Sequence, residues 1–254
     1  MKPNKGMTAL VVVIILVASW ILPVWGCSKN QAKGMGMTAG PDTASVTAGQ
    51  PVKDTGLLQW LALGDSYTIG QSVQAHERYP VQAAGLLQAA GISVTGPEII
   101  ALTGWTTQNL LDAIKDKTAP PYAIVTLLAG VNNQYQGRPL EEYKEQFARL
   151  LARSIQLAGN RPERVIVLSI PDYSVTPFAA GYDRAAIARD IDAFNTVNKA
   201  LSGQYKVNWL DITAASRVAA GDASLVAADS LHFSGKEYAV WAGMLAPRIK
   251  QALQ

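Results

Sequence analysis

Residues 59–70 read QWLALGDSYTIG, an apolar run that ends in small and polar residues. The run at 59–63 is short and rich in large apolar side chains, which is typical of a strand buried on both faces of a parallel sheet. Glycine, aspartate and serine are common turn residues. Gly64, Asp65 and Ser66 therefore predict the turn that ends this strand.

Four more runs of this kind follow along the chain. They predict further strands at 98–102, 122–128, 164–170 and 207–210. Apolar side chains with helical spacing predict helices at 80–90, 107–115, 140–158, 184–201 and 235–252. This alternation predicts an α/β domain, a doubly wound three-layer sandwich in which helices flank a mainly parallel five-stranded sheet.

Polar segments follow the first three predicted strands, and another lies near the C-terminus. The segments are Gly64-Asp65-Ser66, Thr103-Gly104-Trp105, Gly130-Val131-Asn132-Asn133 and Asp229-Ser230-Leu231-His232. In a doubly wound sheet, functional groups collect in the crevice beyond the carboxyl ends of the strands. We therefore expect these segments to form one site, with its walls in the loops at 72–79 and 173–183.

These four segments, in this order, resemble the signature blocks of the SGNH or GDSL hydrolases, and the resemblance spans residues 57–254. It implies a flavodoxin-like fold and a serine esterase whose catalytic triad is Ser66, Asp229 and His232. It also implies an oxyanion hole formed by the backbone N–H groups of Ser66 and Gly104 and by the side-chain amide of Asn132.

The chemistry of a serine nucleophile agrees with these assignments. A serine hydroxyl needs a base that removes its proton, and the base needs an acceptor that fixes its tautomer. The chain has two histidines. His232 follows Asp229 closely enough for one tight turn to bring the carboxylate to the imidazole, whereas His76 lies in a polar stretch and is expected on the surface.

Several neighbouring residues also have a structural interpretation. Gly104 has no Cβ and lets the backbone approach a reacting carbonyl, but it is also an ordinary turn residue. Asn132 either donates to an oxyanion or caps the next helix. Asp65 is expected to hold its turn, and Asn133 stands where the family usually has an aspartate that the chemistry does not require. Three aromatic residues line either the substrate pocket or the core: Tyr67, Trp105 and Tyr135.

The first 27 residues predict export and lipidation. An apolar run at 8–22 follows Lys2 and Lys5, and at this length it is at or below the lower limit of the roughly 17 to 25 residues that cross a bilayer. It leads to Val24-Trp25-Gly26-Cys27, which resembles a bacterial lipobox with Trp25 in place of the usual small residue. Cys27 is the only cysteine, so lipidation explains it better than a disulfide. The alternative is an uncleaved N-terminal anchor.

Residues 28–56 are rich in Gly, Thr, Ala, Ser and Pro and predict a flexible linker, which leaves 57–254 as the hydrolase domain. We therefore expect a protein of the cell envelope, lipid-anchored to the membrane, with its domain outside the cytoplasm. The sequence carries no signal that separates the inner from the outer membrane.

Charge and composition limit the classes of partner and cofactor that the protein is expected to bind. The net charge is +3 and the basic residues are scattered, which disfavours nucleic acid. The histidines are far apart and cysteine is single, so we expect no metal and no cofactor. The expected partner is a small acyl ester, with acetylated glycans and lysophospholipids as candidates. A thioesterase or acyltransferase with the same triad and a catalytically silent binding lipoprotein are the alternatives. The sequence carries no signal of an oligomeric state.

Overall fold

The computed structural model describes residues 56–118 and 121–254. The predicted signal peptide, Cys27 and the linker up to residue 55 lie outside the described residues. The strands of the described residues form one sheet: β1 (Trp60–Gly64), β2 (Glu98–Ala101), β3 (Ile124–Leu128), β4 (Val165–Leu168) and β5 (Asn208–Leu210). Their α-helices are α1 (Ser66–Ile69), α2 (Tyr79–Ala89), α3 (Thr107–Ile114), α4 (Val131–Tyr135), α5 (Leu140–Leu157), α6 (Arg184–Gln204), α7 (Thr213–Ser216) and α8 (Gly235–Leu253).

The sheet is parallel throughout, with the strand order β2-β1-β3-β4-β5. This is the order of flavodoxin-like doubly wound folds, and it confirms the predicted three-layer α/β fold. Gly64 pairs with Ala101 of β2 and with Leu128 of β3, so the three strands end at the same level. The order reverses between β1 and β3, and doubly wound folds bind their ligands at that point.

The central strands are buried because helices cover the sheet. Every residue of β1 and of β3 is buried, and each large apolar side chain that leaves water stabilises the fold by roughly 1.5 to 3 kcal/mol. The indole N–H of Trp60 donates to Thr126 Oγ1 at 3.1 Å, which satisfies both groups inside the sheet. The turn after β1 therefore follows a strand that is buried along its whole length.

The helices form two packed groups. α2 contacts α8, while α3 contacts α5 and α5 contacts α6. α6 also shortens β4, which the sequence predicts to reach residue 170. Asn195 Oδ1 accepts the N–H of Ile170 at 2.7 Å, and Asn195 Nδ2 donates to its carbonyl at 2.9 Å. Since Ile170 bonds to a helix side chain instead of a strand, the ladder ends at Leu168 and the chain turns toward the site.

No helix among residues 56–118 and 121–254 has the length and apolar character that spanning a bilayer requires.

Candidate active site

Ser66 is the first residue of α1 and follows the carboxyl end of β1 after a single linking residue. That residue, Asp65, caps the helix because its Oδ1 accepts the N–H of Tyr67 at 3.0 Å. Gly64 has no room for a side chain, since a Cβ there would lie 2.7 Å from the carbonyl oxygen of Leu128. The strand-to-helix turn is therefore tight, and it fixes the backbone of Ser66.

Asp229 and His232 form a pair within a closed loop. His232 Nδ1 lies 2.6 Å from Asp229 Oδ2. Asp229 Oδ1 accepts the backbone N–H groups of Leu231 at 3.0 Å and of His232 at 2.9 Å. An antiparallel bridge between Val226 and Phe233 closes the loop around them. The structure thus brings the carboxylate to the imidazole, as the spacing of the two residues in the sequence predicts.

Hydrogen bonds keep Asp229 ionised. Burial raises the pKa of this carboxyl, but hydrogen bonds from the Ser72 hydroxyl, the Leu231 N–H and the ring and N–H of His232 outweigh burial and lower the pKa to about 2. An ionised carboxylate only accepts hydrogen bonds, so the His232 ring carries its hydrogen on Nδ1. This tautomer leaves Nε2 free to accept a proton.

Ser66 and His232 line the same cleft, which has a volume of about 190 Å³. The His232 residue is 7% exposed, and its ring meets the Tyr67 ring edge-on with centroids 5.6 Å apart. In the described residues the ring bonds to Asp229, and no hydrogen bond joins it to Ser66 Oγ. Catalytic hydrogen bonds are often long before substrate binds and tighten in the complex. The cleft therefore holds a serine hydroxyl and an imidazole on one surface.

Hydrogen-bond donors are found in the same cleft, which Gly104 and Asn132 also line. Asn132 Nδ2 donates to the Trp105 carbonyl at 2.9 Å, and the amide has a second N–H for another acceptor. Within the described residues, the backbone N–H groups of Ser66 and Gly104 donate to no protein acceptor. Gly104 has φ +84°, a conformation that glycine adopts at little cost.

The alternative interpretation of Asn132 as a helix cap is wrong. The N-cap of α4 is Gly130, and Asn132 lies inside the helix. Its side chain instead reaches across to the carbonyl of Trp105. The amide thus connects the third polar segment of the sequence to the second.

Asn133 connects the third polar segment to the start of α3, and its contacts suit an asparagine better than an ionised aspartate. Its buried side chain accepts the N–H of Thr107 at 2.9 Å and donates to the Thr107 hydroxyl at 2.8 Å. That hydroxyl already donates to Gln146 Oε1, so it needs a donor as its second partner. An ionised aspartate has no hydrogen to donate.

Aromatic side chains form one wall of the cleft. Tyr135, Tyr173 and Phe178 line it, and Tyr182 stacks on Phe178 with centroids 5.5 Å apart and an interplanar angle of 21°. We call these four residues the aromatic wall. Tyr135 is 53% exposed and Tyr182 is 52% exposed. Apolar surface therefore continues from the cleft to solvent.

A buried carboxylate holds the segment that carries Tyr173 and Phe178. Asp172 is 1% exposed, and its Oδ2 accepts Arg217 Nε at 2.8 Å. The N–H of Phe178 donates to the Ser230 carbonyl at 2.9 Å. The aromatic wall and the loop of His232 are thus held together.

Asp65 has a structural environment. It is fully buried, and burial raises its pKa to about 7 against the opposing hydrogen bond from Tyr67 N–H. Its Oδ2 has no hydrogen-bond partner in the described part of the chain. The side chain caps α1 and does not line the cleft, which agrees with the role expected from the sequence.

Not every expectation for the site walls is met. The loop at 173–183 contributes to the cleft, but the loop at 72–79 contributes no lining residue. Ser72 from that loop instead donates to Asp229, a contact that no sequence pattern indicates. Of the aromatic residues, Tyr67 and Tyr135 line the cleft, whereas Trp105 packs half-buried against the core.

Two other groups were of interest in the sequence. His76 is exposed in a short turn, Ala75–Glu77, as expected. Within residues 56–118 and 121–254, no three His, Cys, Asp or Glu side chains converge as a metal site would require.

Solved structures share the fold of this chain. A lipase/acylhydrolase from Enterococcus faecalis superposes with a TM-score of 0.63 at 20% identity, covering 78% of this chain and 98% of its own. A psychrotrophic esterase from Pseudoalteromonas sp., inhibited by monoethylphosphonate, gives 0.59 at 18% identity, covering 77% and 98%. The acetylxylan esterase from Geobacillus stearothermophilus gives 0.57 at 22% identity, covering 76% and 94%.

Sequence comparison gives the family. No curated protein sequence shows significant similarity to the chain. The profile of the GDSL-like lipase/acylhydrolase family, however, matches residues 62–240, which include the turn of Ser66 and the pair of Asp229 and His232. The match extends over more than half of the chain, and the chain therefore belongs to the GDSL-like lipase/acylhydrolase family.

Proposed function

We propose that the protein is a serine hydrolase of carboxylic esters, with Ser66 as nucleophile, His232 as general base and Asp229 as its orienting acceptor. The observation that carries the proposal is the cleft itself. It places Ser66 and the Asp229-bound imidazole beside Gly104 and Asn132, which have hydrogens to donate. Membership of an acylhydrolase family supports the same reaction class.

The proposed reaction has two halves. Ser66 Oγ attacks the carbonyl carbon of the ester while its proton passes to His232 Nε2, and the carbonyl oxygen becomes an anion. The N–H groups of Ser66, Gly104 and Asn132 stabilise that anion. When the C–O bond to the alcohol breaks, His232 returns the proton to the leaving oxygen. Water then attacks the acyl-serine while its proton passes to His232 Nε2. His232 returns that proton to Ser66 Oγ as the acid is released.

The lining of the cleft favours an uncharged, apolar acyl group. No aspartate, glutamate, lysine or arginine lines it; the lining residues are Ser66, Tyr67, Thr103, Gly104, Val131, Asn132, Tyr135, Tyr173, Phe178, Leu231 and His232. The volume of about 190 Å³ suits a small group, and the aromatic wall extends apolar surface beyond it. We therefore propose small to medium acyl esters. The acetylxylan esterase neighbour supports acetylated glycans as one candidate, and lysophospholipids are another.

An acyl-length series tests this function. Full-length protein in detergent would be assayed with p-nitrophenyl esters from acetyl to dodecanoyl, with acetylated xylan and with a lysophospholipid. We expect hydrolysis of the short and medium esters. No hydrolysis of any substrate, together with no reaction of Ser66 with a fluorophosphonate, would contradict the proposal and favour a binding protein. Faster turnover of acyl thioesters than of all oxygen esters would favour a thioesterase.

Tyr182→Ala tests the aromatic wall. The change removes the exposed ring that stacks on Phe178 but leaves the lining of the inner cleft in place. We expect kcat/KM for octanoyl esters to fall by roughly fivefold to tenfold, equivalent to about 1 to 1.4 kcal/mol of apolar contact. The acetyl ester should be unaffected because an acetyl group is too short to reach the ring.

Two controls accompany this variant. Tyr182→Phe keeps the ring and should retain octanoyl turnover. Val218→Ala removes an apolar side chain that is 61% exposed and does not line the cleft, and it should leave kcat/KM unchanged for both esters. Equal losses on acetyl and octanoyl esters in Tyr182→Ala would show that the ring supports the site rather than the acyl chain.

We further propose that the domain is displayed at the cell envelope. In this proposal residues 1–27 are a lipoprotein signal with Cys27 as the lipidated residue, 28–56 are a linker and 57–254 are the hydrolase domain. The lipobox-like sequence and the single cysteine support it.

Cys27→Ala tests the lipid anchor. Because no other cysteine is available to carry a diacylglycerol, the variant should lose all incorporation of labelled palmitate in cells. Esterase activity per folded molecule should be unchanged, because the described domain begins well after residue 27. Undiminished palmitate labelling of the variant would refute lipidation at this residue.

A further inference from the structure

Two serines with left-handed backbone conformations are associated with the carboxylate of Asp229. Ser230 directly follows it, with φ +65°, and Ser72 approaches it from the loop after α1, with φ +67°. Glycine and asparagine suit this conformation better than serine does. Residues persist in such conformations where the surroundings hold them, and they cluster at functional sites. The conformation of Ser72 therefore indicates that contacts with its surroundings hold it in place.

The side chain of Ser72 makes such a contact with Asp229. Its hydroxyl donates to Asp229 Oδ2 at 2.6 Å across 157 residues of sequence. The same oxygen lies 2.6 Å from His232 Nδ1. The other carboxylate oxygen is occupied by the backbone N–H groups of Leu231 and His232. Ser72 therefore provides the one donor in this set that does not come from the loop of Asp229 itself.

Ser72 is also tied to the turn of the nucleophile. Gly70 and Gln71 both donate their backbone N–H groups to the Ser66 carbonyl, Gln71 at 2.9 Å. The Gln71 side chain in turn accepts the hydroxyl of Thr103 at 2.7 Å, next to Gly104. The backbone that carries Ser72 thus follows the position of Ser66, so its hydroxyl sets the carboxylate relative to the nucleophile.

We propose that Ser72 is a positioning residue that fixes Asp229, and through it the His232 ring, relative to Ser66. The role rests on the serine hydrolase function proposed above. The Asp229 side chain is 31% exposed, so water competes for its oxygens. The Ser72 hydroxyl occupies a site on Oδ2 with fixed direction, and the carboxylate then cannot rotate away from the imidazole. An imidazole held in one orientation presents Nε2 to the nucleophile in each turnover.

Ser72→Gly is the decisive variant. Glycine suits φ +67° and removes the hydroxyl, so the relaxed backbone offsets part of the stability lost with the hydrogen bond, and the melting temperature should fall by no more than a few degrees. We expect kcat for a short ester to fall by about tenfold, the rate equivalent of one hydrogen bond to a charged group. KM should change little because Ser72 does not line the cleft.

Ser72→Asn is the matching rescue. Asparagine tolerates the left-handed conformation, and its amide offers a donor toward Asp229. This variant should regain most of the kcat that glycine loses. A residue that merely shaped the loop would give the opposite ranking, because glycine fits the loop backbone at least as well as asparagine does.

Ser224→Ala is the matched control outside the cleft. It removes a serine–aspartate hydrogen bond of the same 2.6 Å length, from Ser224 Oγ to Asp222 Oδ1, and should leave kcat unchanged. Wild-type kcat in Ser72→Gly, or a loss that asparagine does not restore, would overturn the role of Ser72 alone. A wild-type protein that neither hydrolyses esters nor reacts with a fluorophosphonate would overturn the proposed function and this role together.

Discussion

Replacing Ser66 with alanine is expected to abolish ester hydrolysis while the domain stays folded. Loss of the nucleophile from a serine triad lowers kcat on the order of 10⁶-fold, because the remaining base and oxyanion donors have no attacking group to assist. The fold should not suffer, since Ser66 Oγ makes no hydrogen bond within the described residues and a Cβ is kept. Hydrolysis of p-nitrophenyl acetate and a thermal melt measure the two effects.

Covalent labelling identifies the residue directly. A fluorophosphonate should form an adduct with wild-type protein that tandem mass spectrometry places on Ser66, and Ser66→Ala should not react. Ser93→Ala, a change in an exposed loop residue away from the cleft, serves as the control and should label normally. Labelling of another serine while Ser66 stays unmodified would refute the proposed mechanism, as would a Ser66→Ala protein with wild-type turnover.

The fold was predictable because its signals are local. Each of the five strands lies in a short run rich in apolar residues, and each of the long helices has apolar residues at helical spacing. The length and spacing of the apolar residues therefore indicate the type of element. The ends of elements were less predictable. β4 stops at Leu168 because Asn195, on a helix that comes later in the chain, takes the hydrogen bonds of Ile170. A contact between distant residues leaves no local pattern.

The residues of the site also fall into those that local sequence indicates and those that it does not. Ser66, Gly104, Asn132 and the pair at 229–232 lie in segments that directly end a strand or form a tight turn, so their sequence context indicates them. Ser72 was not predictable, because its importance depends on the hydroxyl meeting a carboxylate 157 residues away. The aromatic wall was predictable only in part: the loop at 173–183 was expected near the site, but the stacking of Tyr182 on Phe178 depends on the contacts of Asp172 and Phe178 that hold that loop.

Asn132 gives the second large effect, because its proposed task is to donate to charge that exists only in the transition state. Such a donor lowers the barrier without strengthening substrate binding, so its loss reduces kcat more than it changes KM. Removing one oxyanion donor typically costs on the order of 100-fold to 1000-fold in rate, or roughly 3 to 4 kcal/mol. Asn132→Ala should therefore show a collapsed kcat and a nearly unchanged KM in steady-state assays.

The structure defines the competing explanation. Asn132 Nδ2 also donates to the Trp105 carbonyl at 2.9 Å, and in the competing explanation the amide serves only to hold the turn at Gly104. A purely structural hydrogen bond contributes about 1 kcal/mol to stability. Its loss would lower the melting temperature by a few degrees and leave the folded fraction active. Because Asn132→Ala loses this hydrogen bond in either case, a modest fall in melting temperature does not discriminate, and we expect the difference in kcat, which should collapse in the folded protein.

Asn132→Asp completes the test, because a carboxylate has nearly the shape of the amide but offers no donor. If Asn132 donates to the oxyanion, aspartate should be no better than alanine, since its charge also repels the developing anion. Phosphonate labelling gives an independent measure: the phosphoryl oxygen occupies the place of the oxyanion, so both variants should react with the probe far more slowly than wild type. An active Asn132→Asp enzyme would remove Asn132 from the oxyanion hole and leave the N–H groups of Ser66 and Gly104 as its donors.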